Sequence, residues 1–167
     1  KDLEFVRFQE LPRLITPTAL EIAVNAGKTR RTPRHLLARK GWRVVDPAEV
    51  CPDLESYRDY IESSKAEWSV AKNGYVVGRP GWFSCRSACY LAAGRPVAVQ
   101  DTGFSPVLPT GAGLLAFSTV EEAIASIKEI EADYERHAKA AREIASEYFD
   151  ATTVLTGLVE EAMNGRG

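Results

Sequence analysis

Apolar positions along the chain fall into short strand-like runs separated by longer stripes at helical spacing. The short runs, bounded by Gly, Pro or Asp, predict strands at 3–8, 42–45, 67–70, 75–77, 95–100 and 114–117. Start and stop signals predict helices at 16–27, 32–41, from Asp53 onward, and at 84–93. Strands that alternate with helices predict an α/β class: a single Rossmann-like domain over 1–167, with an open parallel sheet covered by helices on both faces.

The last third of the chain predicts a helical C-terminal tail over 119–164. A capping box is predicted at 118–121, and Asp150 is predicted to cap the final helix. That final helix carries an apolar stripe, which we expect to face inward: Val154, Leu155, Leu158, Val159 and Ala162. His137 lies among Ala, Lys and Arg in the preceding helix, and we expect it at the surface.

Composition is that of an ordinary folded domain, with 167 residues, 26% charged and 45% hydrophobic. No apolar run approaches the length of about 20 residues that a membrane-spanning helix needs. The chain begins with Lys1 rather than Met and shows no signal peptide, so we expect a cytoplasmic piece of a longer or processed protein.

Cysteine and histidine are scarce. Cys51, Cys85 and Cys89 do not make a disulfide framework, and reduced thiols are the expectation. Cys85 and Cys89 are spaced to share one helix face, but a metal site needs three or four ligands. We therefore expect neither a bound metal nor a cofactor.

Charge is distributed unevenly along the chain. Seven cations and no acid lie between Ile22 and Val45. The basic segment Lys28–Arg43 therefore belongs to the basic N-terminal part of the chain, residues 1–41, and extends two residues past it. Such a segment is typical of contact with phosphates or an anionic membrane, or simply of a solvated surface. The pI of about 5.8 and the lack of interleaved aromatics argue against nucleic acid.

Candidate chemistry lies in the loops after the predicted parallel strands, because ligands of such sheets bind beyond the carboxyl ends of the strands. The loop 78–84 leads directly into a helix, and free N–H groups at a helix start attract anions. There Ser84 and Ser87 offer hydroxyls and Arg86 a guanidinium, with Lys72 at the preceding strand end. Ordinary capping by Ser84 is the simpler alternative.

Two kinds of site are disfavoured by the residues. The chain contains no G-x-G-x-x-G and no Walker P-loop. The chain has two histidines, His35 and His137, on unrelated elements, so the sequence does not support a catalytic Ser/His/Asp or Cys/His set. Asp101 at a strand end is either catalytic or bonded within the Thr102–Gly103 turn.

Two blocks, Glu67–Gly74 and Gly81–Val97, resemble glycosyltransferases built from two Rossmann-like domains, the GT-B fold, and specifically their C-terminal, donor-binding half. The likeness includes the helix ending Ala92–Val97, the Gly113–Leu115 strand and the Glu121–Ala123 helix start, and covers about residues 42–163. It implies a group 1-like, metal-independent enzyme whose N-terminal acceptor-binding domain is absent from this chain.

The resemblance also implies site residues. The donor diphosphate would be held by Lys72, Phe83, Ser84, Arg86 and Ser87. The ribose or sugar region would involve Gly81, Trp82, Cys89, Asp101, Thr102 and Gly103. Many relatives carry two glutamates where this chain has Gly81 and Cys89, so those carboxylate contacts do not carry over.

The leading hypothesis is therefore the nucleotide-sugar-binding domain of a glycosyltransferase, with a nucleoside-diphosphate sugar as substrate. One alternative is a non-catalytic Rossmann-like module that binds a phosphate ligand or a partner. Another is a different α/β enzyme, such as a sugar-nucleotide epimerase. A peripheral membrane contact through Lys28–Arg43 is a further expectation.

Overall fold

The computed structural model describes residues 2–25 and 34–165 of the chain. The helices are α1 (Asp2–Phe5), α2 (Leu11–Leu14), α3 (Arg34–Arg39), α4 (Pro47–Val50), α5 (Leu54–Ser63), α6 (Asn73–Gly78), α7 (Cys85–Ala92), α8 (Val120–Ala132), α9 (Tyr134–Tyr148) and α10 (Ala151–Asn164), with a 3₁₀ turn at Val6–Phe8. The strands are β1 (Glu21–Ala23), β2 (Arg43–Val45), β3 (Glu67–Ser69), β4 (Val97–Gln100) and β5 (Leu114–Phe117). The predicted α/β class is confirmed.

Every described strand pair is parallel, but the strands form two sheets rather than one. β1 pairs with β2, placing Ile22 opposite Val44. The second sheet has the order β3-β4-β5, with Trp68 opposite Ala98 and Ala98 opposite Leu115. β4 is buried along its whole length, as its apolar run predicts for a central parallel strand.

Helices cover both faces of the three-stranded sheet, as predicted. On one face Val97, Val99 and Leu114 pack with residues of α5, α7 and α9. On the other, Ala98 and Leu115 pack with Phe8, α2 and α8. Because alternate residues of a strand point to opposite faces, the apolar residues Val97, Ala98 and Val99 of β4 supply both cores at once.

Several predicted elements are confirmed. Strands lie at 43–45, 67–69, 97–100 and 114–117, and helices lie at 34–39, 54–63 and 85–92. Asp53 caps α5 by accepting a hydrogen bond from the Ser56 N–H group at 2.8 Å. The capping box of α8 is also present, between Thr119 and Glu122, one residue later than predicted.

Three local predictions are wrong. Residues 3–8 are helical rather than a strand, and 75–77 belong to α6. The predicted helix at 16–27 is a loop followed by β1, so far as this stretch is described. Its apolar positions fit either element, and the pairing of β1 with β2, which comes from more than twenty residues later in the chain, decides for a strand.

The final helix is present but its apolar stripe does not face inward, which corrects the prediction. Asp150 caps it through the Thr153 N–H group at 2.9 Å, and Gly165 follows its last turn. No residue of α10 is buried. The exposed apolar side chains are Val154, Leu155, Leu158, Val159 and Met163.

Candidate functional site

The candidate site lies at the carboxyl ends of β3 and β4, where α7 begins. Ser84 occupies the N-cap position of α7 in an extended conformation, but its side chain makes no capping hydrogen bond. The first N–H groups of a helix have no partner within the helix. The start of α7 therefore has N–H groups available as hydrogen-bond donors, and the positive end of the helix dipole lies at the same place, so an anion is favoured there.

Ser87 adds a second observation at the same place. Its side chain is completely buried, and its hydroxyl has no hydrogen-bond partner. Ser84 and Ser87 both line a cavity of about 10 Å³, together with Ala71, Phe83 and Gln100. That volume holds about one water-sized group. Because buried hydroxyls are normally paired, the free Ser87 group points to a partner at this position.

The loop before α7 and the turn after β4 are fastened to each other. The Gly81 N–H group donates to the Thr102 carbonyl at 2.9 Å, and the Thr102 hydroxyl donates to the Trp82 carbonyl. Gly103 has a φ of +94°, and a Cβ there would lie 2.6 Å from the Arg79 carbonyl oxygen. Only glycine fits so close an approach, which fixes the position of the loop.

Asp101 serves this turn rather than an open catalytic position. Its carboxylate accepts hydrogen bonds from the Gly103 N–H group at 2.8 Å and from Arg79 at 2.8 Å. Partial burial raises the pKa of Asp101, but these hydrogen bonds outweigh it and hold the pKa below its ordinary value. Of the two roles predicted for Asp101, the structure shows hydrogen bonding within the Thr102–Gly103 turn.

Arg86 does not join the hydroxyls at the small cavity. Its Nε and Nη2 atoms both lie 2.7 Å from Oε1 of Glu67, a carboxylate that is almost completely buried. Arg86 instead lines a second and much larger cavity beside β3. Its charge is already neutralised by a structural partner in this geometry.

Lys72 and Trp82 remain near the entrance to the site. Lys72 is exposed, and its ammonium lies 5.8 Å from the centre of the Tyr75 ring. The Tyr75 and Trp82 rings stack at 4.9 Å with an interplanar angle of 15°. In the described chain Lys72 forms no ion pair, so its charge is available to an anionic ligand.

Sequence reasoning missed Glu4, which lies at the same edge of the sheet. It is 4% exposed and accepts hydrogen bonds from Asn73 at 2.8 Å, Gln100 at 2.6 Å and Arg7 at 2.9 Å. Burial raises the pKa of Glu4, yet these hydrogen bonds hold it below the ordinary value. Local pattern carries no signal for such contacts, because Asn73 and Gln100 are 69 and 96 residues away in the chain.

Two further predicted positions lie away from this edge. Cys89 lies on the exposed face of α7 and does not line the small cavity. His137 is completely buried in α9 rather than exposed, which corrects the prediction. α7 and β5 pack on α9, and this packing cannot be deduced from the residues next to His137 in the helix.

Acidic residues surround most of the described part of the basic segment. Arg34 pairs with Asp46 at 2.9 Å, Lys40 with Glu10 at 3.1 Å and Arg43 with Glu21 at 2.9 Å. Lys28, Arg30 and Arg31 lie outside the described residues. The predicted anionic surface contact therefore rests mainly on residues that the structure does not describe.

No protein-family model, curated protein or solved structure matches this chain. Among the described residues, no cluster of three or more His, Cys, Asp or Glu side chains is arranged to hold a metal ion. Within the same residues, no helix is both long enough and apolar enough to cross a membrane. The glycosyltransferase resemblance thus stays a prediction from the sequence.

Proposed function

We propose that this chain is the nucleotide-sugar-binding domain of a glycosyltransferase, and that the start of α7 receives the donor diphosphate. The observation that carries the proposal is the buried, unpartnered hydroxyl of Ser87 beside the uncapped N-terminus of α7. Neutral donors and a helix dipole stabilise a leaving diphosphate by electrostatics alone. Such a site needs neither an acid–base pair nor a metal of its own.

The geometry revises the roles implied by the resemblance. Ser84 and Ser87 would bind the phosphates, and Lys72 would add the charge, since Arg86 is paired with Glu67. The stacked Tyr75–Trp82 pair lies beside the same edge and offers a platform for the ribose or base. Gly81, Thr102, Gly103 and Asp101 would act by holding the loop in place.

The remaining half of the reaction would belong to a second Rossmann-like domain, which orients the acceptor. The exposed apolar stripe of α10 suits contact with such a domain, because contiguous exposed apolar patches are typical of interaction surfaces. Donor and acceptor chemistry would then meet between the two domains.

Ligand-induced stabilisation tests the proposal directly. Thermal melting is measured with ADP, GDP, UDP and their sugar conjugates at millimolar concentration, and with inorganic pyrophosphate. A ligand at 100 times its Kd adds about 2.7 kcal/mol, or roughly 5–10 °C for a chain of this size. A shift with one nucleotide supports a donor site. A shift with pyrophosphate alone supports the alternative of a non-catalytic phosphate-binding module.

Ser87→Ala gives the sharper test. Removing an unpaired buried hydroxyl should leave the free protein as stable as before, or slightly more so, because no hydrogen bond is lost. The same change should weaken nucleotide binding about ten-fold or more, measured by calorimetric titration, since hydrogen bonds to charged groups contribute about 1.5–3 kcal/mol.

Ser126→Ala is the matched control, because that buried hydroxyl already donates to the Glu122 carbonyl at 2.8 Å and lies in α8. It should leave nucleotide affinity unchanged. Equal affinity in the Ser87→Ala variant and the unchanged chain would refute the assignment of Ser87 to the ligand.

A further inference from the structure

A cavity of about 1190 Å³ lies between the two parallel sheets. One side is formed by Leu20–Val24, which contains β1, and the other by residues 63–70, which contain β3. Phe5 and Val6 of the N-terminal helical segment also line it. β1 and β3 therefore border the cavity along their lengths.

The edges that face this cavity are unpaired. Among the described strands, β1 pairs only with β2, and β3 only with β4. Ladder hydrogen bonds to β2 involve the Leu20 carbonyl and the Val24 N–H group, so the N–H groups of Glu21 and Ala23 point to the opposite edge. By the same alternation Glu67 donates to Pro96, and the Trp68 N–H group points to the cavity.

The cavity has the size of one strand. Strands lie about 4.8 Å apart, side chains fill about 10 Å across a sheet, and each residue advances about 3.3 Å, which gives about 160 Å³ per residue. The volume of about 1190 Å³ therefore accommodates roughly seven residues. The cavity borders the β1 segment over residues 18–24 and the β3 segment over residues 63–70, which is a similar number of residues.

Two buried polar atoms on β3 have no partner, Glu67 Oε2 and Trp68 Nε1. Buried polar side-chain atoms are normally hydrogen-bonded, and each exception calls for a missing group. Both residues line the large cavity. Both atoms are shielded from solvent, so the backbone edges of β1 and β3, rather than these two side-chain atoms, open onto the cavity.

Chain connectivity indicates where the occupant comes from. In parallel sheets a helical crossover joins two strands, as α3 does between β1 and β2, and α7 between β3 and β4. The helical segment α1–α2 leads into β1 in the same way and packs Phe8 and Leu11 on the larger sheet. Within the described residues, however, no strand precedes it.

The position of α1 also sets the direction of that strand. Glu4 in α1 accepts hydrogen bonds from Asn73, which follows β3, and from Gln100, the last residue of β4. α1 therefore begins at the carboxyl edge of the sheet. A strand that runs parallel to β3 ends at that edge and needs only a short loop to enter α1.

We propose that the cavity holds a parallel β-strand in addition to the five described, contributed by polypeptide that enters α1 from its amino-terminal side. The strand pairs with β1 on one edge and β3 on the other, and joins the two sheets into one sheet of order β2-β1-new strand-β3-β4-β5. Buried on both faces, it is rich in Val and Ile.

The test is an N-terminal extension of the full chain by a Val/Ile-rich strand of about six residues and a Gly/Ser loop of about four. The control extension has the same length and consists of Gly and Ser only. The strand extension should raise the melting temperature by about 5 °C or more relative to the control. It should slow amide exchange at Glu21, Ala23 and Trp68 by on the order of ten-fold or more.

Ala23→Pro provides the paired variant. In the unextended chain its N–H group faces the cavity, so proline removes no ladder bond and should be tolerated at a strand edge. In the strand-extended chain the same change should abolish most of the gain in melting temperature.

Three results overturn the proposal. One is an equal melting temperature for the strand and Gly/Ser extensions. Another is a gain that survives Ala23→Pro without slower exchange at Trp68. The third is a stable dimer of the unextended chain by light scattering with these amides already protected, which assigns the cavity to a second copy.

Discussion

Gly113 lies where the loop after β4 enters β5, and its backbone runs directly against α9. Its N–H group donates to Nδ1 of His137 at 3.2 Å, and its carbonyl accepts from Val97 at 2.8 Å. Its φ is +72°, and a Cβ there would lie 2.3 Å from the Ala141 backbone nitrogen. Helix and strand approach so closely here that no side chain fits.

Gly113→Ala should therefore be strongly destabilising. The left-handed φ and the overlap with the backbone of α9 should together lower the free energy of unfolding by about 3 kcal/mol or more. Urea unfolding measures the loss.

Gly111→Ala is the matched control, because Gly111 also has a positive φ, +102°, but has no atom near its Cβ position. Only the backbone strain acts there, at about 1–2 kcal/mol. Equal losses for the two variants would contradict the close packing of Gly113 on α9.

At the scale of elements, the caps Asp53 and Asp150 were predicted correctly and the capping box of α8 was predicted one residue too early, at 118–121. Asp53, Thr119 and Asp150 each accept a hydrogen bond from an N–H group three residues ahead, so capping is local information that sequence spacing contains. The neighbours of a helix are not local information. The stripe of α10 predicts an amphipathic helix correctly, but not what covers its apolar face.

The exposure of α10 leads to a prediction about stability. Replacing Leu155 and Leu158 together by Gln should change the melting temperature of this chain by less than about 2 °C, since both are more than half exposed. Leu114→Ala is the contrasting variant, because Leu114 is completely buried in the central sheet and its truncation should cost about 2–5 kcal/mol. A large loss in the double Gln variant would mean that α10 packs on the body of the protein.

At the scale of the whole molecule, His137 links the two layers on one face of the sheet. Burial in α9 disfavours the imidazolium and, with Arg136 beside it, lowers the pKa of His137 below its ordinary value. Carboxylates of Glu129 and Asp133 oppose this shift without cancelling it. The neutral ring accepts the Gly113 N–H group and so ties α9 to the start of β5.

This burial predicts an acid-sensitive fold. Because the unfolded chain takes up a proton at its ordinary pKa near 6.5 while folded His137 resists until lower pH, stability should fall as the pH drops from about 7 to 5. Unfolding in urea across that range measures the slope. His137→Gln should flatten it, whereas His35→Gln, at an exposed position, should leave it unchanged.

A steep slope that persists in His137→Gln would assign the effect to other groups. The carboxylates with lowered pKa values, such as Glu4 and Asp101, act at still lower pH and do not fall in this window.

The candidate site was only partly predictable. Ser84 and Ser87 were predicted as neighbours at one site because a Gly- and Pro-containing loop leads into a helix after a strand, and the structure places both at the small cavity. The pairing of Arg86 with Glu67 was not found, since which side of α7 a guanidinium reaches depends on how the helix packs against β3. Glu4 gave no signal at all, because its partners come from distant parts of the chain.

The sequence by itself determined the α/β class, the strands β3 to β5, and the starts of the longer helices α5, α7 and α10, because apolar periodicity and capping act over a few residues. Only the tertiary structure decided that β1 is a strand, that His137 is buried, that α10 is exposed, and that a strand-sized cavity separates two sheets. Each of these depends on contacts between segments far apart in the chain, and the burial they create is a property of the packed molecule rather than of any local run of residues.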